Sequence, residues 1–152
     1  MADWYFEDFV AGEVTRTMGR TVTETDIVSF VTFAGIFEET FINADYARTQ
    51  TLFKSRVAPG FLALVLAEGL YVLTGHTHHG RALLGIDELR LTAPVKAGDT
   101  IHAEISVVEA RPSRSQPGHG VVTLAHSVRN QEETEVMRYR TVRLIEARKA
   151  AT

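Results

Sequence analysis

The second half of the chain alternates. In "DTIHAEISVVEARPS", Ile101, Ala103, Ile105 and Val107 fall at every second position, with His102, Glu104 and Ser106 between them. A period of two marks a strand with one face on a core and the other outward. His102 and Glu104 are therefore expected to face solvent. "ALLGIDELRLTAPV", "GVVTLAHSVRNQ" and "EVMRYRTVRLIEAR" have the same strand composition, and "KAGD", "SQPGHG" and "NQEET" between them are turn material. Strands are predicted over 83–93, 99–111, 120–130 and 135–147. Hairpin-length connections make the sheet antiparallel.

The pattern changes in "PGFLALVLAEGLYVLTG", which opens on a proline suited to a first helical turn and closes on glycine. Its apolar residues cover nearly every face, so the helix predicted over 59–74 must be wrapped on all sides. Glu68 and Gly69 interrupt it, and it is too short to cross a membrane. Upstream, "GEVTRTMGRTVT" reads as a strand with Gly19 as a bend. In "TETDIVSFVTFAG", Thr23 and Asp26 have capping spacing, and Gly35 stops a helix whose Ile27, Phe30, Val31 and Ala34 form one stripe. "NADYARTQ" is a short helix capped by Asn43. One apolar helix with a long antiparallel sheet defines an α+β protein in which the sheet wraps the helix.

Composition narrows the function. At 152 residues the chain fits a single domain, 1–152, with a core of its own. A net charge of −3 gives no basic surface for nucleic acid. The absence of cysteine removes disulfides, thiolate metal sites and cysteine nucleophiles. With no apolar run of membrane length and no signal-peptide pattern, a cytoplasmic protein without a membrane partner is expected.

The ordered pieces "YFEDFVAGEV", "NADYA", "VAPGFLALVLAEGL" and above all "LRLTAPVKAGDTIHAEISVVEARPS" resemble the MaoC-like dehydratases, including the (R)-specific enoyl-CoA hydratases. The resemblance spans about residues 4–146. It implies a single hot dog fold, a homodimer with two sheets joined edge to edge, and a thioester tunnel at the dimer interface. The partner it implies is an acyl thioester of coenzyme A or of a carrier protein, and it implies no cofactor.

The family motif is Gly-Asp-x-Asn-Pro-x-His-x-Asp, then two residues and Tyr-Ala. It lands without a gap on "GIFEETFINADYA", residues 35–47. Ile36 takes the place of the catalytic aspartate and Phe41 that of the catalytic histidine. Glu38 stands for the asparagine, Glu39 for the proline and Asn43 for the second aspartate. A later His-Gly pair is here Pro59-Gly60. The resemblance therefore implies a hydratase or dehydratase of enoyl or 3-hydroxyacyl thioesters with a non-standard site.

Adding water to an enoyl thioester takes a base, an acid and hydrogen bonds to the thioester oxygen. Glu38 and Glu39 are the nearest titratable groups, and burial among Ile36, Phe37 and Phe41 would raise a carboxyl pKa toward usefulness. The alternative is two solvated acids on a loop. Gly60, at a helix start, is suited to receive a thioester oxygen, whereas Pro59 contributes no N–H. With Ile36, Phe37, Phe41 and Asn43, these two form the candidate substrate-binding set.

No metal site is expected. "GHTHHG" reads as a solvated loop and His126 as a satisfied core histidine, with a tunnel-lining base as its alternative. Arg138, Arg140, Arg143, Lys54 and Arg56 read as plain surface charge rather than contacts to coenzyme A phosphates. Two further functions stay open: a non-catalytic hot dog protein binding an acyl chain or small ligand, and a thioesterase using Glu38 or Glu39.

Overall fold

Local signals set the element boundaries in the computed structural model, which describes residues 3–149. Thr23 accepts a hydrogen bond from the Asp26 amide (3.0 Å), and Asp26 accepts one from the Thr23 amide (2.8 Å). This reciprocal pair opens α1, Glu24–Ala34. Gly35 closes it in the left-handed region (φ 71°), and the Ile36 amide turns back to the Val31 carbonyl (3.1 Å). Of the expected stripe, Ile27 and Val31 are buried and Phe30 half-buried, but Ala34 is exposed because the last turn overhangs the core. Two short helices follow, α2 (Glu39–Ile42) and α3 (Ala44–Thr49), the second capped by Asn43, whose Oδ1 accepts from the Tyr46 amide (3.0 Å).

Among the described residues the sheet has six strands: β1 (Val14–Arg16), β2 (Arg20–Thr21), β3 (Gly80–Leu91), β4 (Thr100–Pro112), β5 (His119–Arg129) and β6 (Glu135–Glu146). Its order is β1-β4-β5-β6-β3, with β2 pairing β4 beside β1, and every pairing is antiparallel. The single predicted early strand is thus two, interrupted at 17–19. Register aligns Ile105 with His126 and His126 with Tyr139, so these three side chains share the core face.

The central helix α4, Gly60–Val72, lies against that face through Leu62, Ala63, Leu66, Ala67, Leu70 and Tyr71. The sheet wraps the helix as expected, but within one chain it does not cover every side. Phe61, Val65, Val72 and Leu73 are each more than half exposed, and the edge strand β3 also exposes Leu83, Leu84 and Leu91. One sheet covers one side of a helix, and an all-apolar helix then leaves an apolar stripe uncovered.

Two histidine expectations are corrected. "GHTHHG" is not simply a solvated loop: His76 is buried with its ring stacked on Trp4 (3.8 Å), and His79 stacks on Tyr5 and bonds Asp3 (2.7 Å). Of the three, only His78 stands exposed. His102 is buried rather than solvent-facing, because the Asn130–Thr134 turn and neighbouring long side chains cover the outer face of the sheet there. Alternation assigns a side chain to a face but does not say what covers that face.

Candidate active site

The motif segment hangs over the start of α4. Residues 57–58 run beside 95–96, with Val57 bridging Lys96 and the Ala58 amide bonded to the Val95 carbonyl (2.8 Å). This pairing presents Pro59 and Gly60 to the side where α2 approaches. Between them lies a cavity of about 380 Å³, lined by Phe41, Phe53, Pro59, Gly60, Leu91 and Val136 among others. Among the described residues its polar side chains are Thr40 and Thr92 alone. The volume suits a small organic ligand, and the lining suits an apolar one.

Of the candidate substrate-binding residues, the fold brings Phe41, Pro59 and Gly60 together around this cavity. Ile36 is half-buried but outside the lining, and Phe37 and Asn43 are exposed and outside it. Glu38 and Glu39 are exposed at the start of α2, immediately before the lining Thr40. Their side chains do not lie between the apolar neighbours that flank them in sequence. Glu39 accepts a long hydrogen bond from Asn43 (3.4 Å).

Gly60 packs closely under Leu91: a Cβ there would meet Leu91 Cδ1 at 2.4 Å, so a larger residue would displace the Leu91 side chain, which lines the cavity. As the first residue of α4, Gly60 has an amide with no intrahelical acceptor, at the end where the helix dipole is positive.

Sequence reasoning passed over a polar cluster inside the core. Glu68 accepts from the Tyr139 hydroxyl (2.8 Å) and from the Arg143 guanidinium, which also lies over the Tyr71 ring (5.1 Å). His126 stacks on Tyr139 (4.3 Å) and shares a hydrogen bond with Thr141 (2.9 Å). Its Nδ1 has no partner among the described residues, so the expected core histidine is only half satisfied. Burial, reinforced by the Arg143 charge, pulls its pKa down to about 3. At that value it is neutral and too weak a base for the tunnel role. Burial pushes both Tyr71 and Tyr139 up, with the Glu68 carboxylate adding to the effect on each. The one sequence signal was Glu68 itself, a lone acid in an apolar helix.

Of the cations read as plain surface charge, Arg138 pairs with Glu135, Arg140 with Glu88, and Lys54 donates to the Thr49 carbonyl. Arg143 and Arg56 correct that reading: both are largely buried, in ion pairs with Glu68 and Glu24. A second depression, about 360 Å³, lies on the outer face of the sheet among Glu104, Ser127, Glu135, Arg138 and Arg140. No residue of the motif segment reaches it.

This helix-and-sheet architecture, with a cavity at the start of the central helix, defines a hot dog protein. A double hot dog protein of Mycobacterium tuberculosis superposes with a TM-score of 0.87 at 21% identity, over 97% of this chain and 46% of that one. The family described as the MaoC like domain matches residues 7–130, and the chain belongs to it. It is 32% identical to the (R)-specific enoyl-CoA hydratase of Rhodospirillum rubrum, over 72% of this chain and 74% of the relative. It is 35% identical to Protein MaoC of Klebsiella aerogenes over 67% of its own length, but spans only 30% of that longer protein. Among solved structures, the monoamine oxidase regulatory protein of Archaeoglobus fulgidus matches with a TM-score of 0.85 and 33% identity, over 96% of both chains. Among the described residues, no helix is long and apolar enough to cross a membrane.

Proposed function

We propose that this protein is a homodimeric hydratase/dehydratase of enoyl or 3-hydroxyacyl thioesters, carried on coenzyme A or a carrier protein, with a non-standard active site. The observation that carries this is the apolar cavity between the motif segment and the start of α4. Membership in a family with a named enoyl-CoA hydratase relative supplies the reaction class. In this reading the acyl chain lies against Phe41, Phe53 and Leu91, and the thioester oxygen accepts from the Gly60 amide. That hydrogen bond strengthens as the oxygen takes on enolate charge. Glu38, or Glu39 beside it, removes a proton from water as its oxygen bonds the β-carbon, and the same carboxyl then returns a proton to the α-carbon.

The homodimer is supported by the uncovered apolar stripe of α4 and the unpaired edge of β3. Joining β3 to the same strand of a second copy would satisfy its free backbone groups and cover Phe61 and Val65.

A second reading has its own observation. Among the described residues no titratable side chain lines the cavity, which favours a protein that binds an acyl chain without transforming it. The two are separated by incubation with short and medium enoyl-CoAs. Loss of the enoyl absorbance supports the lyase, release of free thiol supports a thioesterase, and calorimetric binding with neither supports the binder.

A further inference from the structure

On the outer face of the sheet, away from the cavity, three potential metal ligands converge. His102 on β4 is buried, and its Nε2 is enclosed without a hydrogen-bond partner among the described residues. The nearest carboxylate oxygen, Glu133 Oε2, is 3.6 Å away, too far for a hydrogen bond. Glu104, two residues along β4 on the same face, completes the group, and all three ligand atoms lie within 4.8 Å of one another. Enclosing an imidazole nitrogen with no partner is costly, so such an atom points to something that binds it.

The neighbouring arginines leave room for a cation. Arg16 holds Oε1 of Glu133 at 2.8 Å and approaches Oε1 of Glu104 at 3.7 Å. Arg129 Nε is 3.6 Å from Glu104 Oε2, beyond hydrogen-bonding distance. Neither oxygen of Glu104 and only one of Glu133 is therefore within hydrogen-bonding distance of these arginines, which act as competing cations. Glu133 belongs to the turn between β5 and β6 and its side chain is about half exposed, so it has freedom to close in. Ligands on one tetrahedral zinc ion lie about 3.3 Å apart, so the two carboxylates would have to draw in toward His102 on binding.

We propose that His102, Glu104 and Glu133 form a site for a divalent transition cation of the zinc type, fastening the β5–β6 turn to β4. An imidazole with two carboxylates is a nitrogen–oxygen set suited to zinc and its neighbours. Arg16 and Arg129 cancel the charge of the two carboxylates, so affinity is modest and rises when a competing arginine is removed.

The test is calorimetric titration of the full chain, freed of metal by chelation, with zinc chloride. One equivalent is expected to bind per chain. Glu133→Gln and His102→Gln should each weaken binding at least tenfold, with circular dichroism confirming the fold. Arg16→Gln should tighten it, which a purely structural His102–Glu133 contact has no reason to do. His78→Ala, on the other histidine-rich segment, should leave it unchanged. No saturable binding to the wild type overturns the proposal. So does binding that survives Glu133→Gln and His102→Gln but falls with His78→Ala.

Discussion

Arg143, on the last strand, donates to Glu68 on the central helix, and both side chains are largely buried. The contact ties β6 to α4 through an ion pair inside a cluster that is otherwise aromatic. Removing one member of a buried pair leaves the other charge uncompensated, whereas replacing both with apolar groups removes the desolvation cost as well. Arg143→Met is therefore expected to lose about 3–5 kcal/mol of stability. The double variant Glu68→Leu, Arg143→Met should recover most of it. Urea denaturation of the three proteins measures the difference, and a double variant as unstable as the single one would contradict this account.

His126 makes stability depend on pH. Its folded pKa, about 3, lies below the ordinary 6.5, so the unfolded chain takes up a proton that the folded chain refuses. Its contribution is complete above pH 6.5 and is lost as pH falls from there toward 3, at up to about 1.4 kcal/mol per pH unit. His76, lowered by burial, acts in the same direction. Asp8 and Asp26, also held low, act in the same sense but below the ordinary carboxylate range. Between pH 6.5 and 5, His126→Gln should lose roughly 1–2 kcal/mol less than the wild type. Equal losses would mean that His126 becomes protonated in the folded protein.

If a loop carboxylate is the acid and base, Glu38→Gln should lower hydration at least about a hundredfold without changing the melting temperature. Glu39→Gln distinguishes which of the two acts. Wild-type turnover in both variants would remove the carboxylates from the mechanism.

Restoring the family's residues tests the same site from the other side. Ile36→Asp with Phe41→His places a carboxyl and an imidazole beside an apolar cavity, where neither has an established partner. An enzyme already using Glu38 should lose activity. A binder has none to lose and should gain measurable crotonyl-CoA hydration, read as loss of enoyl absorbance.

Leu84 is about half exposed on the β3 edge. Leu84→Lys puts a charge where a second copy would dock and disturbs little within one chain. Sedimentation at micromolar concentration should shift from dimer to monomer. A monomeric wild type would sink the dimer outright.

The sequence determined the elements, because they follow from local periods. Two-residue alternation placed β4 and β5 within a residue or two of their observed ends, and Thr23, Asp26 and Gly35 bounded α1 through bonds a few residues apart. The motif spacing also led to Phe41, Pro59 and Gly60, which the fold gathers at one cavity. Only the tertiary structure decided what covers each face. Strand period correctly separated His102 from Ile101, yet a turn thirty residues away buries it. Helical period made α4 apolar all round, yet one sheet covers one side and leaves Phe61 and Val65 open. Nothing local couples Glu68 to Arg143, because their meeting depends on how the last strand passes the central helix. Period is a property of neighbouring residues, while burial and charge pairing belong to segments that meet only on folding.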